Sequence, residues 1–202
     1  NKVTPNTLPS LSMRLLEIDL QDIEDLHVVC GLIFEAAVGE HCYIETYAEL
    51  CKILVSERRT EVGAGSGEDA VLARRALLDR CQDEFDRVLA ILEMRLEQRS
   101  TCDGQSDECE VAIGAAKIRA FGSLKFIGHL FLFEVVSHQI LRIIIWRLIL
   151  EREDPREQSI ECVTVLVPII GPKLASTETG RMILQDCLNR LALLSGMAFP
   201  KR

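Results

Sequence analysis

Cysteine and histidine are the residues of this sequence most able to support nucleophilic or metal chemistry. His41 and Cys42 are its one adjacent His/Cys pair. Neighbouring side chains at the start of a helix point apart, so the imidazole is not placed to activate the thiol. The closest cysteine pairs are Cys42 with Cys51 and Cys102 with Cys109, whereas zinc sites use tighter pairs such as Cys-x-x-Cys. We therefore predict no catalytic residue and no metal ligand.

Two other patterns could suggest catalysis, a glycine-rich stretch and an abundance of carboxylates. The stretch GAGSG, residues 63–67, lacks the Lys and the Ser or Thr of a P-loop, and no strand precedes it. We interpret residues 57–69 as a flexible loop. Carboxylates in such numbers are typical of solvated helix faces. We predict no cofactor and no enzymatic activity.

Basic residues gather weakly in an acidic chain. The formal net charge is −8, which excludes a general attraction to nucleic acid or an anionic membrane. Local clusters could still form a stripe that contacts RNA weakly, or they could be solvated helix faces. The clusters are Arg58 with Arg59; Arg74, Arg75 and Arg80; and Lys117, Arg119 and Lys125.

The composition predicts an all-α protein with a large core, since 48% of residues are hydrophobic and 5% are aromatic. The eight cysteines lie mostly in apolar helical runs, so we expect core thiols in a reducing compartment. The apolar run Ile140–Leu150 is too short to span a bilayer and contains Arg142 and Arg147. We interpret it as a buried helix, with Trp146 as a core anchor, and predict no membrane partner.

Apolar positions recur every three or four residues in eight segments, which predicts eight helices. Thr4 and Pro5 favour the first N-terminus, although Pro9 indicates a later start or a distortion. Ser137 is predicted to cap the sixth helix. Glycines at 114, 122 and 128 indicate close packing or a kink in the fifth. The predicted helices cover about residues 4–19, 21–38, 43–55, 70–98, 109–133, 137–151, 154–170 and 179–194.

The seventh helix has the clearest start signal in the sequence. Asp154, Pro155 and Glu157 have the spacing of an N-cap, a first helical proline and a capping box. Pro168 is expected to bend the last turn, and Gly171-Pro172 to end the helix. Short connections between helices with wide apolar faces fit an antiparallel helix-hairpin solenoid of the HEAT type, with about four to five repeats and a crescent shape.

Seven segments in order resemble motifs of the middle domain of eukaryotic translation initiation factor 4G. They are NKVTP, LIFEAAVGE, YAELC, LLDRCQDEF, GSLKFIGHLF, SIECVTVLVPIIG and MILQDCLNRL. LLDRCQDEF and KFIGHLF are the most specific. The motifs run through nearly the whole chain, so the resemblance implies one HEAT-repeat middle domain over residues 1–202, excised from a longer scaffold protein.

The resemblance implies a non-enzymatic, cytoplasmic translation scaffold that docks and stimulates a DEAD-box RNA helicase, initiation factor 4A. The parent protein's flanking regions would bind the cap-binding subunit. Asn1 and Lys2 match the pair by which related domains contact the helicase, and Lys2 could meet a carboxylate there. For Phe34, Phe85 and Phe126, core packing is the alternative to partner contact. The expected partner-binding residues are Asn1, Lys2, Thr4, Phe34, Glu35, Phe85 and Lys125.

The sequence departs from the family pattern in two places, and the second, in the last repeat, favours an alternative. The insertion around Asp103 is short, and the segment between Gly171 and Met182 is too short for the extra helix expected before MILQD. The alternative is a related HEAT scaffold of mRNA metabolism, in cap binding, splicing or decay, with a different protein partner.

Overall fold

Every regular element is helical in the part of the chain that this computed structural model describes, residues 2–18, 20, 22–57, 68–101 and 107–198. The predicted all-α, HEAT-like class is confirmed, as are the eight α-helices. These are α1 (Leu8–Leu16), α2 (Ile23–Gly39), α3 (Ile44–Glu57), α4 (Glu68–Thr101), α5 (Asp107–Leu132), α6 (His138–Ile145), α7 (Glu157–Ala175) and α8 (Glu178–Ala198). A 3₁₀ turn, His41–Tyr43, precedes α3, and a π-helical turn, Trp146–Leu150, follows α6.

The helices form two compact units, Asn1–Val135 and Val136–Arg202. In the first unit α2 packs against α3, α4 and α5, and α1 packs against α3. In the second, α7 packs against α8 and the π-helical turn. Each unit has its own buried apolar side chains, such as Phe34 and Leu130 in the first and Leu141 and Leu166 in the second. The extent of a single domain over residues 1–202 stays a prediction.

The first helix begins later than Thr4. Thr7 is the N-cap residue, and Pro9 occupies the second helical position. A proline there costs no hydrogen bond, because the first N–H groups of a helix have no acceptor within it. Residues 5–7 form a turn in which the Thr4 carbonyl accepts from the backbone N–H groups of Thr7 at 3.0 Å and Leu8 at 2.9 Å.

The predicted capping box of the seventh helix is wrong. Arg156, with an extended backbone, is the N-cap residue, and no side chain caps the helix there. The chain stays non-helical at Asp154 because Arg190 of α8 holds the preceding carbonyls. Its guanidinium donates to the carbonyls of Ile149 at 3.0 Å, Arg152 at 2.6 Å and Glu153 at 2.5 Å. Ser137, in contrast, caps α6 as predicted and accepts from the Ile140 N–H at 3.4 Å.

The predicted stop at Gly171-Pro172 is also wrong, since α7 continues through Pro168 and Pro172 to Ala175. Both prolines are exposed and lie four residues apart, so the two carbonyls that lose a donor share one solvated side. Gly171 has no Cβ to clash with the Pro172 ring. The buried side chains of Ile170 and Leu174 hold the last turns in place.

The glycines of α5 were predicted to indicate close packing or a kink. Gly122 of α5 lies in a close helix contact, because a Cβ there would lie 2.9 Å from His41 Cε1 and 3.1 Å from Val38 Cγ1.

By length and composition alone, α7 is apolar enough to cross a membrane. Its inner side nevertheless supplies buried core residues of the second unit, namely Ser159, Cys162, Val163, Leu166, Ile170 and Leu174.

Candidate functional site

The N-terminal segment, residues 2–7, presents Lys2 at the surface of the first unit. Lys2 Nζ lies 3.4 Å from Glu40 Oε1, and its side chain is 70% exposed. The Tyr47 hydroxyl donates to Glu40 Oε2 at 2.9 Å and accepts from the Val3 N–H at 3.5 Å. Burial, helped by the bond to Glu40, raises the pKa of Tyr47. Lys2 is thus positioned by a buried tyrosine while its ammonium remains accessible.

Thr4 shapes the turn that leads into α1. Its N–H donates to Thr7 Oγ1 at 2.8 Å, and the Thr7 hydroxyl donates to the Lys2 carbonyl at 2.9 Å. The Thr7 hydroxyl therefore links the half-buried Thr4 to the backbone that carries Lys2. Asn1 lies outside the described residues, and the partner contacts of Asn1, Lys2 and Thr4 stay predictions.

Glu35 joins an ion-pair cluster that we call the arginine cluster: Glu35, Arg80, Glu84, Arg87 and Arg119. Arg119 binds Glu35 through two bonds, Nη1 to Oε2 at 2.8 Å and Nη2 to Oε1 at 2.7 Å. Arg80 Nη2 donates to Glu35 Oε1, also at 2.7 Å. Hydrogen bonding from Arg119 lowers the pKa of Glu35, and the same contact is the main cause that raises the pKa of Arg119.

Glu84 is the buried member of the arginine cluster, with no exposed side-chain surface. Its Oε1 accepts from Arg119 Nε at 2.7 Å and from the Ser123 hydroxyl at 3.4 Å. Its Oε2 lies 3.3 Å from Arg87 Nη1 and 3.4 Å from Arg80 Nη2. A buried carboxylate is tolerated when charge and hydrogen bonds compensate it, and here three guanidinium groups do so.

Two residues of the predicted basic stripe belong to the arginine cluster. Arg80 and Arg119 are both engaged with carboxylates of their own chain. Arg75 pairs with Asp79 at 3.8 Å, and Arg74 donates to the Glu134 carbonyl at 3.2 Å. Lys117 lies 5.6 Å from the centre of the Phe121 ring, and Lys125 is exposed. Arg58 and Arg59 lie outside the described residues.

The aromatic motif residues belong to the core. Phe34, Phe85 and Phe126 are buried, and Phe34 packs edge-to-face on Phe126 with ring centres 5.1 Å apart. Arg80 lies over the Phe34 ring at 5.5 Å. The burial of Phe34 and Phe85 favours the core-packing alternative, because helical periodicity directs both rings inward, and a partner contact by either residue stays a prediction.

The thiols divide between the core and the surface. Cys30, Cys51, Cys81, Cys162 and Cys187 are buried, as predicted, while Cys42 is exposed. Burial raises the pKa of Cys51 and Cys81, and raises that of Cys187 to about 11. Cys102 and the side chain of Cys109 lie outside the part of the chain that the structure describes. Within the described residues, no group of three His, Cys, Asp or Glu side chains could hold a metal ion.

Sequence reasoning missed an exposed aromatic surface on α6. Trp146 was predicted to be a core anchor, and this prediction is wrong. The side chain of Trp146 is exposed, as are those of Ile143 and Arg142 on the same helix. The spacing of apolar residues along the helix already indicates that Trp146 is exposed. The inward positions Leu141, Ile144, Ile145, Leu148 and Ile149 fill one side and leave 142, 143 and 146 opposite.

Comparison with known proteins identifies a family to which the chain is similar. The model of the MIF4G domain matches residues 1–192. Mouse eukaryotic translation initiation factor 4 gamma 3 is 30% identical over 183 residues, which cover 86% of this chain and 11% of that protein. Rabbit eukaryotic translation initiation factor 4 gamma 2 is 26% identical over 211 residues, covering 100% of this chain and 23% of that protein. The chain thus spans a small part of these relatives.

A solved structure supports the same assignment at the level of fold. The MIF4G domain of Trypanosoma cruzi translation initiation factor EIF4G5 matches with a TM-score of 0.70 and 16% identity, covering 99% of this chain and 84% of that one. The ordered motifs, the helical architecture and the family match agree. This chain belongs to the MIF4G domain family and is homologous to the middle domain of translation initiation factor 4G.

Proposed function

We propose that this chain is a translation-initiation scaffold domain that docks and stimulates a DEAD-box helicase of the initiation factor 4A type. The observation that carries the proposal is the MIF4G match over residues 1–192, together with homology to initiation factors 4 gamma. Scaffold domains act by binding, and we propose no catalytic residue. The parent protein would act in the cytoplasm, with its flanking regions binding the cap-binding subunit.

Lys2 is the residue we propose as a direct helicase contact. Its ammonium is exposed, and its pair with Glu40 spans 3.4 Å at the surface, where ion pairs are weak. A helicase carboxylate can therefore compete for Lys2 at little cost. Asn1 adjoins this contact, and Thr4 would position it. Glu35 and Lys125 are exposed and remain further candidates on the same unit.

Stimulation of an ATPase without catalysis requires differential binding. A scaffold that binds one helicase conformation more tightly shifts the enzyme toward that conformation, and it can shift the equilibrium only by its difference in affinity. A domain that contacts both helicase lobes can exert such a preference on their relative arrangement. A domain that contacts one lobe tethers the enzyme without changing turnover.

The test is the steady-state ATPase rate of initiation factor 4A, with RNA present, as the chain is titrated in. A saturable rise is expected. A flat rate with binding still detected by sedimentation would restrict the function to tethering through one lobe. Absence of binding would overturn the proposal and favour the alternative partner class.

Two variants separate the role of Lys2 toward the helicase from its role in the fold. Asn1→Asp with Lys2→Glu is expected to weaken helicase binding while the helical circular dichroism stays unchanged. Glu40→Gln removes the intramolecular partner charge but leaves Lys2 cationic, so it should retain helicase binding. Equal loss in both variants would show that the Lys2–Glu40 pair acts through the fold. Unchanged binding in both would remove Asn1 and Lys2 from the interface.

One observation favours a second candidate, a related HEAT scaffold of mRNA metabolism with another partner. Only Ser176 and Thr177 separate α7 from α8, so the described chain has no additional helix before MILQD. An altered C-terminal repeat changes the surface available to the second helicase lobe. A nuclear localisation signal in the parent protein would favour this candidate, whereas an upstream motif for the cap-binding subunit would argue against it.

A further inference from the structure

The outward side of α6 and its π-helical turn carries an unusual set of side chains. Trp146, the one tryptophan in the sequence, is 47% exposed, and Ile143 is 51% exposed. Arg142 and Glu151 are also exposed, with Glu151 one π-helical turn after Trp146, and Leu150 is half-buried. We call these five residues the Trp146 stripe. Tryptophan, arginine and apolar side chains together are typical of the centre of protein interfaces.

The backbone under the Trp146 stripe is fixed from both ends. Ser137 caps the start of α6, and the Glu151 N–H donates to the Trp146 carbonyl at 2.8 Å across the π-helical turn. Arg190 then holds the carbonyls of Ile149, Arg152 and Glu153. π-helical turns inside helices are frequent at functional sites. A fixed surface loses little conformational entropy on binding.

Charges of opposite sign lie at the two ends of the Trp146 stripe. Arg142 lies four residues before Trp146, and Glu151 lies five residues after it. The positions three and four residues from Arg142 on the helix are His138, Gln139, Ile145 and Trp146, none of them a carboxylate. The helix geometry separates the two charged positions by about 13 Å, too far for a direct pair within one chain.

When two copies of the Trp146 stripe pack in opposite directions, the positive end of each lies opposite the negative end of the other. A two-fold axis near Trp146 places Arg142 opposite Glu151 of a second copy, and Ile143 opposite the second Leu150. The two tryptophans then meet at the axis, where aromatic rings stack favourably. Neither an anionic membrane nor RNA fits this surface, because Glu151, Glu153 and Asp154 are all exposed at one end of it.

We propose that the Trp146 stripe is a self-association site, at which α6 of one chain packs antiparallel on α6 of a second copy. The paired area is that of one helix face, so the dimer is weak and depends on concentration. Self-association would bring two scaffolds, and whatever each one binds, into one complex. It uses only the second unit and does not require the proposed helicase contact.

The test uses the whole 202-residue chain and its single tryptophan. Sedimentation equilibrium is expected to show a reversible monomer–dimer equilibrium, with the tryptophan emission shifting to longer wavelength on dilution as Trp146 becomes hydrated. Trp146→Ala should raise the dissociation constant by about thirtyfold, the effect of truncating an interface hot spot. A monomer at all concentrations, or a dimer unaffected by Trp146→Ala, would overturn the proposal.

Charge reversal distinguishes the antiparallel arrangement from other contacts. Arg142→Glu and Glu151→Arg should each weaken self-association, because each places like charges opposite one another in its own dimer. An equimolar mixture of the two variants should restore it, since the mixed dimer regains both opposite-charge pairs. Arg14→Glu, an equal charge change at an exposed position of α1, is the matched control and should have no effect. Failure of the mixture to restore association would refute the arrangement.

Discussion

Glu84 shows how a single residue connects three helices of the first unit. It lies on α4 and is fully buried, and it binds Arg119 and Ser123 of α5 as well as Arg80 and Arg87 of its own helix. Through Arg80 and Arg119 it is linked to Glu35 of α2. The motif LLDRCQDEF contains both Arg80 and Glu84, so the network explains part of that motif as structural.

Glu84→Gln is expected to destabilise the first unit by about 3 kcal/mol, because it leaves guanidinium groups without their buried counter-charge. The matched variant Glu35→Gln should cost less than about 1 kcal/mol, since that carboxylate is 47% exposed and screened by solvent. Urea unfolding followed by circular dichroism gives both values. Similar losses in the two variants would contradict the distinction between the buried and exposed carboxylates.

His129 is a second residue whose environment predicts a measurable effect. Burial lowers its pKa from the ordinary 6.5, opposed more weakly by Glu45, and its Nδ1 is buried without a hydrogen-bond partner in the described structure. As the pH falls through 6.5, His129 binds a proton in the unfolded chain but remains neutral in the folded chain. Stability should therefore decrease from pH 7 toward pH 5 and level off below the lowered pKa.

His129→Gln is expected to flatten this part of the pH dependence, because glutamine does not titrate. Urea midpoints at several pH values between 7.5 and 5 provide the measurement. His27→Gln, at an exposed position of α2, is the control and should leave the slope caused by His129 in place. An unchanged slope in His129→Gln would assign the pH dependence to other groups.

At the scale of elements, the turn between α7 and α8 depends on close packing. Thr177 Oγ1 accepts from the Gly180 N–H at 3.1 Å and lies 3.1 Å from His138 Nε2, so one hydroxyl joins the start of α8 to α6. A Cβ on Gly180 would lie 2.7 Å from Leu174 Cα and closer still to the Leu174 carbonyl oxygen. Backbone atoms cannot move aside as a flexible side chain can.

Gly180→Ala should consequently destabilise the second unit by about 3 kcal/mol, the upper range for overpacking a well-packed site. Gly31→Ala in α2 is the matched control, because a Cβ there meets no atom within 4 Å. It should stabilise the first unit by about 0.5–1 kcal/mol, the helix-propensity difference between the two residues. Thermal unfolding of both variants gives the comparison. A neutral Gly180→Ala would show that α7 and α8 can separate.

At the scale of the whole molecule, charge limits the partners. The net charge is −8, and arginines of the basic clusters bind carboxylates or carbonyls of their own chain. Direct RNA binding depends on cations that release counterions from phosphate. We expect single-stranded RNA at 50 mM salt to show no saturation below about 10⁻⁴ M, the weak limit of non-specific binding. Fluorescence anisotropy measures this, and tight binding that declines steeply with added salt would contradict it.

The sequence by itself determined the helical class, the number of helices and the family. Apolar spacing of three or four residues is a local property, so α2 and α3 were predicted nearly to their ends. The inward direction of Phe34 and Phe126 also follows from periodicity. Family motifs such as KFIGHLF can be recognised without coordinates, because they are contiguous in the chain.

Only the tertiary structure decided which neighbours those helices meet. Arg190 fixes carbonyls about forty residues earlier, which no local signal at Asp154 reveals, and α7 passes two prolines because its inner side is held by buried contacts. Pairing of Arg80 and Arg119 with Glu35 and Glu84 removes them from the predicted basic stripe. Trp146 was expected inside, since hydrophobicity indicates burial only on average, and the partners that cover a helix face are set by residues distant in the sequence.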